Sequence, residues 1–259
     1  MVKIAEVIEK IEEFAPISLA ESFDNCGVKI GNIEQDVRGI LVTVDTNVDA
    51  INEAVKNNCN LILEHHPSIW VPLKSLDISK PLNYSLLEAY RHNVVIYSAH
   101  TNVDYAVGGL NDYVAKKIGL KDIVYCSDYT SARIGKLSEY KSLKDFTKYI
   151  SEVFQDDNAI CIGEPNKLIK TVAIINGSGG TEKNILETYN YGADVLITSE
   201  VKHSVARLAK DLGYAIIQIG HFASEAGFMS LMKNVINESF PEITVLQSQK
   251  VINPINRRE

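Results

Sequence analysis

Two adjacent histidines stand at the end of a short apolar run. Residues 61–64 (Leu-Ile-Leu-Glu) lead directly into His65, His66 and Pro67. An apolar run after the turn-like residues 57–60 predicts a short buried strand, and Pro67, which has no amide hydrogen to donate, ends it. Ligands and catalytic groups of open α/β sheets collect at the carboxyl ends of strands. The tandem pair therefore predicts a functional site at the end of this strand.

Two further histidines follow strand-like runs, and each precedes a carboxylate by four residues. The run at 94–98 leads to His100 and Asp104, and the run at 215–219 leads to His221 and Glu225. Imidazole and carboxylate groups are the ligands expected for zinc, manganese or non-haem iron, and the absence of nearby cysteine disfavours a structural zinc site. If the two groups converge, they suffice for two ions, which at roughly 3.5–4 Å apart would share a polarised water.

The elements that position these residues alternate between strands and helices. Apolar runs and helical patterns alternate over residues 40–118 and again over 171–246, which predicts βαβ units and a mostly parallel sheet. The two segments can also be aligned on each other, so that 94–104 matches 215–225. We therefore predict two related α/β halves. Residues 1–125 carry His65, His66 and Asp104, and residues 126–259 carry His221 and Glu225.

A structural explanation of the same residues stays open. Asp104 and Glu225 could cap the helices that follow them, and the histidines could satisfy backbone groups. Similarly, the glycine-rich stretch at 177–180 could cradle a phosphate at a helix N-terminus or form only a tight turn. Glu200 and His203 follow the equivalent strand of the second half, which places them as candidates for the same crevice. His92 is predicted to be a surface residue.

Composition restricts the class of protein. The chain has 259 residues, 46% of them hydrophobic and 23% charged, which is typical of a soluble protein. The formal net charge of −7 argues against nucleic-acid binding without excluding a local basic groove. The start of the chain does not resemble a signal peptide, and no apolar run approaches the roughly 20 residues of a membrane span. The four cysteines are widely scattered, so we expect a cytoplasmic protein with no disulfide framework and no membrane partner.

With these residues assembled, the chain resembles the Nif-three-like family, whose members are also called GTP cyclohydrolase I type 2 homologues. The resemblance implies two similar, intertwined α/β/α halves with mostly parallel sheets. It also implies a toroidal homohexamer, a trimer of dimers, with a dinuclear metal site inside the ring. The motifs that carry it are Phe23-Asp24-Asn25-Cys26-Gly27, Glu64-His65-His66-Pro67, His100-Thr101-Asn102-Val103-Asp104 with Gly108-Gly109, Arg133-Ile134-Gly135, Gly177-Ser178-Gly179-Gly180, Leu196-Ile197-Thr198-Ser199-Glu200, and His221 with Glu225.

The family's metal ligands correspond to five residues of this sequence. By resemblance, His65 and His221 bind one divalent ion, His66 and Asp104 bind the other, and Glu225 bridges the two. The identity of the metal, whether iron, zinc or manganese, stays open, because sites of this kind follow metal availability as well as affinity.

The resemblance also implies a role for His100, and this sequence departs from the family pattern in two places. The resemblance places His100 close to the metals, as a candidate either for proton transfer or for supporting a metal ligand. Phe23 stands where the family usually has tryptophan. The central segment is too short for the extra domain that some members carry between the halves, so functions of that domain are not transferred.

The leading functional hypothesis is a metal-dependent hydrolase with a small nucleotide-like substrate. Ring-opening hydrolysis of GTP is the activity that the family's name implies, although no residue of this sequence selects a purine. A metal-handling or regulatory protein without turnover is the second hypothesis. A nucleic-acid-binding ring is the third, and the acidic net charge weakens it.

Overall fold

Helices alternate with strands along most of the chain, which confirms the predicted α/β class. The computed structural model describes residues 1–126, 131–251 and 253–255. The elements, in chain order, are α1 (Ile4–Phe14), β1 (Gly27–Ile30), β2 (Ile40–Thr43), α2 (Val48–Lys56), β3 (Leu61–Glu64), α3 (Pro81–Arg91), β4 (Val95–Ser98), α4 (Thr101–Tyr105), α5 (Leu110–Lys117), β5 (Lys121–Tyr125), β6 (Arg133–Ser142), α6 (Leu143–Phe154), β7 (Ile160–Ile162), β8 (Leu168–Ile174), α7 (Glu182–Asn190), β9 (Val195–Thr198), α8 (His203–Asp211), β10 (Ala215–Gln218), α9 (His221–Glu225), α10 (Gly227–Ser239) and β11 (Val245–Gln247).

The chain divides into two compact units. The first combines Met1–Val107 with Phe228–Glu259, and the second is Gly108–Gly227. This division differs from the predicted boundary after residue 125. Strand β11 returns to pair with β2 in the first unit, whereas β5, which precedes residue 126, pairs with β6 in the second. Strand pairing of this kind leaves no local pattern in the sequence.

The first unit contains a five-stranded sheet in the order β1-β4-β3-β2-β11. All pairs are parallel except β1 with β4, in agreement with the predicted mostly parallel sheet. Every residue of β2, β3 and β4 is buried, which explains why these strands are continuous apolar runs. The register pairs Thr43 with Glu64 and Glu64 with Ser98, so the three strands end side by side.

The second unit contains a six-stranded sheet in the order β5-β6-β8-β9-β10-β7. Only β8 with β9 and β9 with β10 are parallel, and the other three pairs are antiparallel. The antiparallel strands come from residues 121–162, where the sequence shows no regular alternation. Apolar side chains form a core on each face of the sheet, with α5 and α6 against one face and α7 and α8 against the other. This unit is therefore a three-layered α/β/α structure.

The same arrangement of three parallel strands occurs in both units. Strands β2, β3 and β4 lie side by side in the first sheet, as β8, β9 and β10 do in the second. A five-residue helix, α4 or α9, follows the last strand of each set. The strand order therefore agrees with the prediction of two related halves, as does the short helix that carries the predicted carboxylate in each unit.

Two simpler expectations concern the cysteines and membranes. All four cysteines are free thiols, and burial raises the pKa of Cys59 to about 11, which keeps it protonated near neutral pH. Among the residues that the structure describes, no helix has both the length and the apolar character needed to cross a bilayer.

The first turn of α2 offers a test of the fold. The side chain of Asn47 accepts a hydrogen bond from the Ala50 amide at 3.0 Å. We expect Asn47→Ala to lower the free energy of unfolding by about 0.5–2 kcal/mol, because that amide loses its partner. The measurement is the midpoint of denaturant unfolding at unchanged slope.

The control is Asn52→Ala, the same chemical change at an exposed position in the middle of α2. It should leave the midpoint unchanged or raise it slightly, because alanine is the better helix former. Equal midpoints for Asn47→Ala and the wild type would show that the cap does not stabilise the helix.

Candidate metal centre

Three imidazoles lie together at the carboxyl end of the first sheet. His65 and His66 follow β3, and His100 follows β4. Their ring centroids are 5.1–5.6 Å apart. One ring nitrogen from each histidine lies within 4.8 Å of the others, a spacing that could hold a metal ion. We call these three residues the imidazole cluster.

The parallel ladder brings the cluster together because it continues past the ends of the strands. The amide of His65 donates to the Thr43 carbonyl at 3.1 Å, and the amide of His66 donates to the Val44 carbonyl at 2.9 Å. On the other side, the Ala99 amide donates to the Glu64 carbonyl at 3.0 Å. The histidines are therefore held by backbone bonds of the sheet edge rather than by a free loop.

An oxygen atom accepts a hydrogen bond from the Nδ1 atom of each histidine in the cluster. Because these oxygens are acceptors, a neutral ring carries its proton on Nδ1 and its lone pair on Nε2, and a lone pair is what binds a cation. The pairs are His65 with the Ala99 carbonyl at 3.0 Å, His66 with Asp45 Oδ1 at 2.8 Å, and His100 with Asp24 Oδ2 at 3.0 Å.

Asp24 is the most constrained of these partners. Its side chain is fully buried, and it also accepts hydrogen bonds from the amide and the hydroxyl of Thr101. Burial by itself would raise the pKa of Asp24, but the hydrogen bonds from His100 and Thr101 outweigh it and lower that pKa well below its usual range. Asp24 is therefore ionised at any physiological pH.

Asp104 lies inside α4, one helical turn after His100, and is buried. The next helix, α5, has Gly109 at its N-cap, and no side chain caps it there. Capping of α5 therefore does not explain the carboxylate of Asp104. Its role as a metal ligand stays a prediction.

The second unit has its own pair of predicted ligands. His221 and Glu225 begin and end α9, and His221 Nε2 lies 2.9 Å from Glu225 Oε2. His221 Nδ1 bonds to Glu200 Oε1 at 2.8 Å, so each ring nitrogen of His221 faces a carboxylate. Glu225 is buried, with 2% of its surface exposed.

Glu200 is held firmly in place to make this bond. Its other oxygen accepts a hydrogen bond from the Ser178 hydroxyl at 2.5 Å, and its backbone has a φ of 54°, which non-glycine residues seldom adopt. The hydrogen bond from Ser178, followed by that from His221, lowers the pKa of Glu200 against the opposing effect of burial. Glu200 therefore remains a carboxylate that orients His221.

The glycine-rich stretch is explained by close packing. Gly177 has a φ of 61°, and a Cβ atom at this position would collide with Glu225 Oε1. A Cβ atom at Gly180 would lie 2.9 Å from the Ser199 carbonyl oxygen. The following helix, α7, has its own cap, because Thr181 accepts a hydrogen bond from the Asn184 amide. The tight-turn alternative accounts for these glycines, and it lets the loop backbone approach His221 and Glu225.

The structure thus places the predicted residues in two sets. His65, His66 and His100 form the cluster in the first unit, and His221 and Glu225 form a pair in the second. The remaining histidines lie outside these sets, since His92 ends α3 and His203 is the exposed first residue of α8.

Two of the orienting carboxylates, Asp24 and Asp45, were not predicted from the sequence, and Glu200 was predicted for the crevice without this role. Asp45 could have been found, because it follows β2 at the same sheet edge at which His66 follows β3. Backbone groups account for only one of the four Nδ1 partners, so the purely structural explanation of the histidines fits His65 alone.

Comparison with known proteins gives a consistent result. A family model described as Duf34/NIF3 (NGG1p interacting factor 3) matches residues 2–254. A Clostridium acetobutylicum protein named GTP cyclohydrolase 1 type 2 homolog is 29% identical, covering 97% of both chains. A solved structure of a Bacillus cereus protein related to NIF3 superposes with a TM-score of 0.93 at 20% identity, covering 100% of this chain and 99% of that one. A Staphylococcus aureus hypothetical protein superposes with a TM-score of 0.91 at 27% identity, covering 99% of each chain.

The buried Asp24 carboxylate generates a prediction about stability and pH. Asp24→Asn should lower the free energy of unfolding by about 1.5–3 kcal/mol near neutral pH, because charge-assisted hydrogen bonds are lost. The lowered pKa means that the wild-type advantage is full above the unfolded pKa of about 3.9 and shrinks as the pH falls below it. The measurement is urea unfolding in EDTA at several pH values.

The matched control is Asp49→Asn, at an exposed position in the first turn of α2. It should change the unfolding free energy by less than about 0.5 kcal/mol. An Asp24→Asn penalty that is independent of pH would mean that packing, rather than the carboxylate charge, holds Asp24 in place.

Proposed function

Because this chain belongs to the Duf34/NIF3 family, we propose that it is a metal-dependent hydrolase with two divalent ions per chain and a nucleotide-like substrate. The motif-based resemblance to this family is confirmed by the family model, which matches nearly the whole chain. The substrate class comes from relatives named GTP cyclohydrolase 1 type 2 homolog. The iron, zinc or manganese ions and the toroidal hexamer are parts of the same proposal.

The observation that carries the proposal is the shared orientation of four histidines. In each ring Nδ1 bonds to an oxygen acceptor, and in three of the four that acceptor is a carboxylate. Metal-binding histidines almost always donate their second ring N–H in this way, because the bond fixes the tautomer and raises the basicity of the ligand nitrogen. In the three histidines of the imidazole cluster, this bond leaves Nε2 as the nitrogen that would bind a metal.

We propose the same five metal ligands as before, namely His65, His66, Asp104, His221 and Glu225. The donor set of imidazoles and carboxylates fits zinc, manganese or iron. Bound divalent ions would polarise a substrate oxygen and lower the pKa of a coordinated water. Asp45, Asp24 and Glu200 orient the rings of His66, His100 and His221, respectively.

His100 is proposed to transfer protons. Its Nδ1 proton is held by the ionised Asp24, so its Nε2 atom is the one that accepts or returns a proton. When His100 becomes positively charged, the adjacent carboxylate stabilises that charge. A histidine within 4.8 Å of two proposed ligands could also bind a metal itself, and the variant described below separates the two roles.

The metal content and the activity of one set of variants test this proposal. The wild-type protein should contain about two divalent ions per chain and hydrolyse at least one member of a nucleotide panel. Glu225→Ala should contain fewer ions and be at least about 100-fold less active, since loss of an orienting partner alone costs 10–100-fold. His100→Gln should keep its ions and lose turnover. Elemental analysis and product chromatography measure the two quantities.

His92→Ala is the control, because it removes a histidine that lies outside both sets. Two ions per chain in Glu225→Ala would show that the ligand assignment is wrong. A metal-loaded wild type that hydrolyses no nucleotide would favour the metal-handling alternative.

Glu200 provides a separate test of the orientation of His221. Glu200→Gln should weaken binding of divalent metal by about 10–100-fold, because the amide is a poorer acceptor for the Nδ1 proton. Competition with a chromophoric chelator measures this affinity. Glu182→Gln, an exposed change at the start of α7, should leave the affinity unchanged. Equal metal affinities for the wild type, Glu200→Gln and Glu182→Gln would show that Glu200 does not support metal binding.

A further inference from the structure

Two large aromatic side chains are exposed next to each other on the first unit. Phe23 is 64% exposed and Trp70 is 47% exposed. Their ring centroids are 6.1 Å apart, and the ring planes are tilted by 48°. Exposed apolar rings that adjoin one another are typical of binding surfaces rather than of ordinary protein surface.

The two loops that carry these rings are connected to each other and to the imidazole cluster. The Asn25 side-chain amide donates to the Ile69 carbonyl at 2.5 Å, which ties together the residues that follow Phe23 and precede Trp70. The Trp70 ring lies 5.5 Å from the His100 ring, with the planes at 78°. The aromatic pair therefore lies beside the proposed catalytic imidazole, through the contact between the Trp70 and His100 rings.

We propose that Phe23 and Trp70 form a stacking subsite for a flat heteroaromatic ring, such as a nucleobase, of the substrate. Stacking on an aromatic side chain requires only a π-face, so it holds a base without selecting which one. A ring on this subsite would bring its attached groups close to His100. This inference rests on the proposed function, because it names the part of the substrate that the protein holds.

A small ring is favoured over a protein surface as the occupant. The aromatic faces adjoin the imidazole cluster through the contact between Trp70 and His100, and a protein covering both rings would also obstruct that approach to the cluster. A second copy of this chain is the competing occupant, and the experiment below includes it as an outcome.

Trp70 is the only tryptophan in the sequence, so its fluorescence reports directly on this position. In EDTA, titration with GTP should quench the fluorescence to saturation, whereas inorganic tripolyphosphate, which has no ring, should leave it unchanged. Phe23→Ala, in which the reporter is kept, should weaken the binding of GTP by roughly 5- to 150-fold, as expected for loss of one stacking contact. Because no metal is present, the reading is independent of metal binding.

The control variant is Tyr90→Ala, which removes another exposed ring of the first unit. Tyr90 is 67% exposed and lies in α3, next to the residues that precede β4, whereas His100 follows that strand. This variant should bind GTP as the wild type does. A weakening as large as that of Phe23→Ala would show that general surface loss, and not stacking, explains the effect.

Three further results of the titration would overturn the subsite. The first is that GTP does not change the fluorescence, and the second is that tripolyphosphate quenches it as strongly as GTP does. The third is that the fluorescence depends on protein concentration and not on GTP, which would indicate that a second copy of the chain covers Phe23 and Trp70. Failure of the proposed function is distinguishable, because saturable quenching without hydrolysis contradicts the hydrolase and leaves the subsite intact. Conversely, full turnover by Phe23→Ala and Trp70→Ala would exclude the subsite and keep the hydrolase.

Discussion

A neutral imidazole has one proton for two nitrogen atoms, and the position of that proton decides which nitrogen can bind a cation. In this protein an oxygen acceptor contacts the Nδ1 atom of each of four histidines. One acceptor is a backbone carbonyl and three are carboxylates. Two of these acceptors are themselves fixed by further hydrogen bonds, Asp24 by Thr101 and Glu200 by Ser178. The orientation of these imidazoles therefore depends on a second layer of groups behind them.

Both units orient their histidines at the ends of the same arrangement of three parallel strands, but with different residues. His66 stands two residues after β3, and Glu200 stands two residues after β9, the corresponding strand. In the first unit this position carries a proposed ligand whose orientation comes from Asp45. In the second unit it carries the carboxylate that orients His221. One structural position thus provides a proposed ligand in one half and the partner of a proposed ligand in the other, as expected for repeats that have diverged in role.

The sequence predicted those parts of the fold that depend on local patterns. The helical spacing of apolar residues over 48–56, 81–91 and 143–154 predicts helices that correspond to α2, α3 and α6, because spacing and end residues are local features. Strands β5, β6 and β7 were missed, since their pairing is antiparallel and their residues are partly exposed, which leaves no continuous apolar run. The predicted boundary after residue 125 differs from the compact units because the return of β11 is a long-range pairing.

The candidate site shows the same limit. The histidines were found because each follows a buried strand, which is a local pattern. Asp24 was not found as the partner of His100, because it lies in an irregular loop 76 residues earlier and reaches His100 only through the tertiary structure. A motif indicates which residues do chemistry, but the groups that orient them are distributed by the fold.

The last strand of the chain pairs with one of the first. Strand β2, all four residues of which are buried, has β3 on one side and β11 on the other. During synthesis the whole of the second unit is made before β11, so the outer edge of β2 has no strand to pair with until residue 247 has been added. An unpaired apolar strand is a template for association with other chains. The sheet that carries the imidazole cluster is therefore the later of the two sheets to be completed during synthesis. Its β2 edge stays unpaired for longer than any other strand edge that becomes paired in the two sheets.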